Sequence, residues 1–101
     1  MTVIRWAETA ASDLESIHNY IRNDSPAYAQ AVVSRLYAAV DQLRTFPDSG
    51  RVVPERSDPN LRELIRPPYR IVYQRCEGSV EILTVFHAAR MFPESVRGAT
   101  R

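Results

Sequence analysis

Between Leu61 and Ala88 the chain holds three consecutive segments in which apolar and polar residues tend to alternate: LRELIR (61–66), YRIVYQRC (69–76) and VEILTVFHA (80–88). Only PP and EGS separate them. A period of two marks β-strands with one buried face, and connections that short join only antiparallel neighbours. This stretch therefore predicts an antiparallel meander. In the middle segment Tyr69, Ile71 and Tyr73 should face the core, and Arg70, Val72 and Gln74 the opposite side.

Upstream the period changes. TVIRW (2–6) alternates and reads as a short first strand. Ala10, Leu14, Ile17, His18 and Ile21 then fall on one face of a helix. RNDSP ends it, because Pro26 disfavours helix at Ser25. Ser25 is suited to cap a second helix with Pro26 in its first turn. There Ala29, Val33, Leu36, Val40 and Leu43 repeat at spacings of four and three. The link is short, so the helices should pair as an antiparallel hairpin. FPDSG (46–50) closes the hairpin, and GRVVPERSDPN (50–60) reads as loop.

The expected order is β-α-α-β-β-β, an α+β fold with an N-terminal helical hairpin on one face of a small, antiparallel-rich sheet. The other face, carrying Arg70, is expected to lie open. A length of 101 residues suits a single domain, here 1–101, with a loosely ordered tail from residue 91. No run is long and apolar enough for a membrane span, and MTVIRWAETA has no signal-peptide pattern. Cys76 is alone, so no internal disulfide is expected; a small buried side chain in a reducing cytoplasm is.

All thirteen basic residues are arginines. The first fifty residues carry four arginines against six acids, and the remainder nine against six. An anionic partner should therefore meet the C-terminal half. The chain has no glycine-rich phosphate loop, no nucleophilic triad and no metal-ligand spacing, so neither cofactor nor metal is expected. His18 reads as structural. The candidates left are Arg62, Arg66, Arg70 and Arg90, with His87 in FHAAR (86–90). Meander geometry allows Arg70 and Arg90 to approach and grip a phosphate or carboxylate. The plainer alternative is that these arginines are solvated or paired with Glu63 and Glu81.

Taken together, DLESIHNYI (13–21), FPDSGR (46–51), LRELIRPPYRIVYQ (61–74) and VEILTVFHAAR (80–90) resemble the RelE/ParE superfamily of bacterial type II toxins. The likeness runs over about residues 2–91 in order and spacing. It implies a cytoplasmic toxin neutralised by a cognate antitoxin whose flexible segment wraps it and covers the bare face. The superfamily divides into RelE-like ribosome-dependent mRNA endonucleases and ParE-like poisons of DNA gyrase. Arg70 and Arg90 match arginines of the nuclease site. The lysines of that site fall at Leu61 and Glu63, and its terminal tyrosine falls near Val96, so these are absent. A second nuclease branch would match Glu55 and Arg70 but lacks here its histidine–tyrosine ending; His87 lies earlier. The resemblance therefore implies a ParE-like toxin that binds gyrase, with a RelE-like nuclease as the alternative. Contact residues on this reading are the arginine face and the tail from Met91.

Overall fold

The computed structural model describes residues 1–96. Strand β1 (Val3–Trp6) leads into helices α1 (Glu8–Arg22) and α2 (Pro26–Asp41), and a single 3-10 turn spans Gln42–Arg44. Then come β2 (Arg51–Val52), β3 (Leu61–Arg66), β4 (Tyr69–Cys76) and β5 (Ser79–His87). The five strands lie in the order β1-β5-β4-β3-β2. β3, β4 and β5 are the expected meander, and β1 joins β5 in parallel. The two-residue β2, inside the stretch read as loop, pairs antiparallel with β3 through Arg51–Glu63 and Val52–Arg62.

Local signals set the helix boundaries. The Ser25 hydroxyl accepts a hydrogen bond from the Tyr28 amide at 3.1 Å, and Pro26 occupies the first turn of α2. In α2 the buried stripe is Ala29, Val32, Leu36, Ala39 and Val40; Val33 sits at its margin. The helices pack on the sheet face presenting Ile71, Tyr73, Ile82 and Val85. Burying each side chain of this size is worth about 1.5–3 kcal/mol. Trp6 closes the edge of this core against Tyr37, ring centroids 5.2 Å apart.

The opposite face is not open, contrary to the sequence reading. A second core of Val53, Leu61, Val72, Phe86 and Val96, with Leu83 and Phe92 at its rim, covers it. Its cover comes from the β2–β3 connection and from the segment after β5. The expected loose tail is thus partly packed: Phe92 stacks edge-on against Phe86 at 5.8 Å, and Val96 is buried. Residues 97–101 lie outside the described part. Cys76, expected buried, is exposed at the end of β4. The turn to β5 places it beside Gly78, whose φ of 75° suits glycine.

FPDSGR has a structural task. The Tyr73 hydroxyl lies inside the first core, where it accepts from the Gly50 amide at 3.0 Å and donates to the Pro47 carbonyl at 2.8 Å. A Cβ at Gly50 would stand 2.7 Å from the Tyr73 ring and from the Glu63 carbonyl oxygen. Glycine is needed there for close approach rather than for a special φ. Burial pushes the Tyr73 phenol above its ordinary pKa, so it stays a protonated donor.

Two substitutions test this anchor. Tyr73→Phe should cost about 1–3 kcal/mol by leaving a buried amide and carbonyl unpaired. Gly50→Ala should cost a similar amount, ~1–3 kcal/mol, by overpacking. Urea unfolding of the double variant should show less than the sum, because removing the hydroxyl removes part of the clash. A Tyr73→Phe variant as stable as wild type would show that the loop is held by other contacts.

Candidate functional site

The second core contains a buried carboxylate. Glu63 projects from β3 with no exposed side-chain surface. Its Oε2 accepts from Arg51 Nε at 2.6 Å, and its Oε1 accepts from Arg70 Nε at 2.6 Å. The far side of the Arg70 guanidinium forms a two-pronged pair with Glu55: Nη1 donates to Oε2 at 2.9 Å and Nη2 to Oε1 at 2.8 Å. Phe86 and Phe92 lie over the guanidinium, 5.2 and 5.3 Å from its carbon.

Arg70, expected on an open face, is 8% exposed. Its alternation with Tyr69 and Ile71 holds, but that face is covered. The bond from Glu55 is the largest influence raising the guanidinium pKa, with Glu63 adding to it against the cost of burial. Glu55 is held below its ordinary value chiefly by its bond to Arg70. The geometry is that of a closed charge cluster, with the guanidinium donors turned to carboxylates.

The other candidates do not converge on it. Arg62 pairs in register with Tyr73, and Arg66 with Tyr69, so both lie on the face opposite Arg70. Arg62 clamps the preceding loop by donating to the carbonyls of Pro59 and Gly50, each at 3.0 Å. Arg66 donates to the Ile65 carbonyl. His87 pairs in register with Tyr69 and stacks edge-on against it at 5.8 Å. Arg90 follows in the turn after β5, its amide donating to the His87 carbonyl. His87 and Arg90 line a groove between α1 and the exit of β5, which Arg70 does not line. The expected Arg70–Arg90 grip is not formed, whereas Glu55 and Arg70 do meet.

Asp13 was not among the expected site residues. The pairing of β4 and β5 slips between Val72 and Tyr73, leaving Leu83 as the extra residue of a bulge. β1 stops at Ile82, so the edge of β5 beyond it lacks a strand partner. Asp13 of α1 fills part of that gap: its Oδ2 accepts from Thr84 Oγ1 at 2.6 Å and from the Val85 amide at 3.0 Å. An acid on the Ala10–Ile17–Ile21 stripe was the available signal. No group of three or more metal-ligating side chains occurs among the described residues. No helix there is long and apolar enough to cross a membrane.

A family model described as the ParE toxin of type II toxin–antitoxin systems matches residues 4–92. The chain is 39% identical to "Toxin RelE2" of Caulobacter vibrioides, over 90% of this chain and all of that one. It is 44% identical to "Putative toxin Y4kP" of Sinorhizobium fredii, over 90% and 93% of the two chains. Among solved structures, a chain of the chromosomal ParDE system of P. aeruginosa aligns with TM-score 0.70 at 24% identity, covering 86% of this chain and 96% of that chain. A chain of the RelBE2 toxin–antitoxin complex of Mycobacterium tuberculosis aligns with TM-score 0.57 at 26% identity, over 85% and 96%.

The cluster makes two predictions. Arg70→Ala, expected from sequence to leave the fold intact, should instead cost about 3–5 kcal/mol, because it strands a buried carboxylate. In a chain of this size that lowers the melting temperature by more than about 10 °C. Arg70→Lys should fall between, since lysine lacks the planar fork. Second, a carboxyl whose pKa is depressed by folding stabilises the fold above its unfolded pKa, and that contribution is lost as pH falls through the folded value. Stability should therefore decline as pH drops below about 4.5, the ordinary value for Glu55. Glu55→Gln should flatten this acid limb in melts at a series of pH values; an unchanged limb would show that the pair contributes nothing.

Proposed function

The chain belongs to the ParE toxin family of type II toxin–antitoxin systems, within the RelE/ParE superfamily, and from that premise we propose that it acts by binding DNA gyrase and poisoning it rather than by cutting RNA. A cognate antitoxin, encoded beside it, neutralises it in the bacterial cytoplasm.

The observation that supports this reading is the state of Arg70. A nuclease of this superfamily needs that arginine free to meet a phosphate. Here its donors are turned to Glu55 and Glu63 beneath two phenylalanines. Glu63 stands where a nuclease lysine would be, and a buried carboxylate repels a phosphate rather than stabilising one. Leu61, at the other lysine position, is buried in the second core. His87 pairs in register with Tyr69, so it faces away from Arg70, and with Arg90 it lines a groove that Arg70 does not line, an arrangement that does not bring the three together for one proton-transfer step. Arg70 and Glu55 thus hold the fold, and the exposed Arg90 and half-exposed Arg66 remain available to a protein partner.

The alternative, a ribosome-dependent mRNA endonuclease, is favoured by one feature: Glu55 and Arg70 are adjacent, as the second nuclease branch requires. The two readings separate in a paired assay. Purified toxin should inhibit gyrase supercoiling and accumulate cleaved DNA complexes, while ribosome-bound mRNA stays intact. Cleavage of mRNA in the ribosomal A site, with gyrase unaffected, would overturn the proposal.

A further inference from the structure

After β5 the chain crosses the Arg70 face once more, and it does so without forming a strand. Between Met91 and Val96 no amide donates to another element among the described residues; the Val96 amide donates only to the Pro93 carbonyl, at 3.2 Å. Side chains hold the segment instead. Phe92 lies edge-on to Phe86, and Val96 is buried in the second core.

Arg56 adds the remaining tie. Its guanidinium carbon stands 4.8 Å from the Phe92 centroid, and its Nε donates to the Val96 carbonyl at 3.3 Å. Its Nη1 donates to the Glu55 carbonyl at 3.0 Å. One side chain thus spans the segment after β5 and the loop that carries Glu55. Arg56 has no carboxylate partner among the described residues, so its charge is shared between a ring and two carbonyls.

The Glu55 loop is pinned at its ends rather than at its tip. The Val53 amide donates to the Leu61 carbonyl, and the Leu61 amide to the Asp58 carbonyl, each at 3.0 Å. Between these anchors the Glu55 side chain keeps 37% of its surface exposed, against 10% for Arg70. The outer nitrogens of Arg70 are therefore covered by two pieces of chain, Glu55 and Phe92, that Arg56 joins. Segments with few backbone hydrogen bonds to their neighbours open at a small fraction of the global unfolding free energy.

We infer that Met91–Val96 is a strap with Arg56 as its catch: while the catch holds, strap and loop tip close Arg70 to solutes, and its release opens them without unfolding the helical hairpin or the sheet. A cation–π contact together with a hydrogen bond from a charged donor shifts such an opening equilibrium about tenfold. The device makes access to the Glu55–Arg70 pair adjustable. A solute or partner that competes for the Phe92 ring or for the Arg56 donors uncovers the pair.

The test is arginine labelling of the full chain with phenylglyoxal, read residue by residue by mass spectrometry. In the wild type, Arg70 should react about tenfold or more slowly than the exposed Arg5. Its rate should stay nearly constant in urea below the unfolding transition, because a local opening exposes little new surface. Arg56→Gln should raise Arg70 labelling about tenfold. Phe92→Leu, which keeps an apolar cover but removes the ring, should raise it about threefold or more. Arg5 labelling and the hydrogen exchange of α2 amides should not change in either variant. A wild-type Arg70 as reactive as Arg5 overturns the proposal. So does Arg70 labelling that climbs with urea as steeply as global unfolding, and so do wild-type rates in both variants. Exchange of α2 amides that accelerates in step with Arg70 labelling also overturns it, because the opening is then global.

Discussion

A carboxylate with no exposed surface governs one side of this molecule. Glu63 sits in an apolar layer, where an isolated charge is expensive, so its two oxygens require cations. Arg70 comes from the neighbouring strand and Arg51 from the short strand beyond. Once Arg70 is drawn inward, its outer nitrogens need acceptors, and Glu55 supplies both. Glu55 brings the loop carrying Val53 down onto the sheet, and Phe92 closes over the guanidinium. A buried ion pair need not raise stability over apolar residues of the same shape. What this one supplies is location: it determines which loop covers the face and in what register. The two-residue β2 is the backbone consequence of the Arg51–Glu63 contact, because Arg51 and Glu63 are direct partners across the pair.

The other side depends on pattern, and pattern was readable. The two helices, the Ser25 cap, the antiparallel meander and the inward set Tyr69, Ile71 and Tyr73 follow from periods of 3.6 and two, which are local properties. Alternation also assigned Arg70 to the right face. It could not say what covered that face, because the cover comes from segments without a period: a proline-rich loop and the stretch after β5. Val53, Phe92 and Val96 were the available signs, apolar residues standing singly among turn formers. Glu63 is read from sequence both as a position where a lysine is missing and, in the plainer alternative, as a partner for the arginines, and its bond to Arg70 bears out that alternative. Cys76 misled for a related reason. Its type is usually buried, but it ends a strand next to an exposed turn.

The function of an arginine is set by what compensates it, and position within a shared motif does not determine that. In YRIV the side chain leaves β4 on the face away from the helical hairpin. The substitutions that matter are on neighbouring elements: a glutamate on β3 in place of a cation, and a second glutamate in the loop above. These turn a donor awaiting phosphate into the centre of a closed network. The same exchange redistributes binding capacity over the surface. Arg51, Arg70 and Arg75 are ion-paired, whereas Arg5, Arg22, Arg35, Arg56, Arg62, Arg66 and Arg90 have no carboxylate partner among the described residues, and Arg90 lines the groove with Tyr20 and Tyr69. One sheet face thus carries a closed charge cluster, and an aromatic groove that includes Arg90 lies between α1 and the exit of β5. That division suits a toxin working through protein contacts, because the ion pairs hold the fold and the uncompensated charges are reserved for partners.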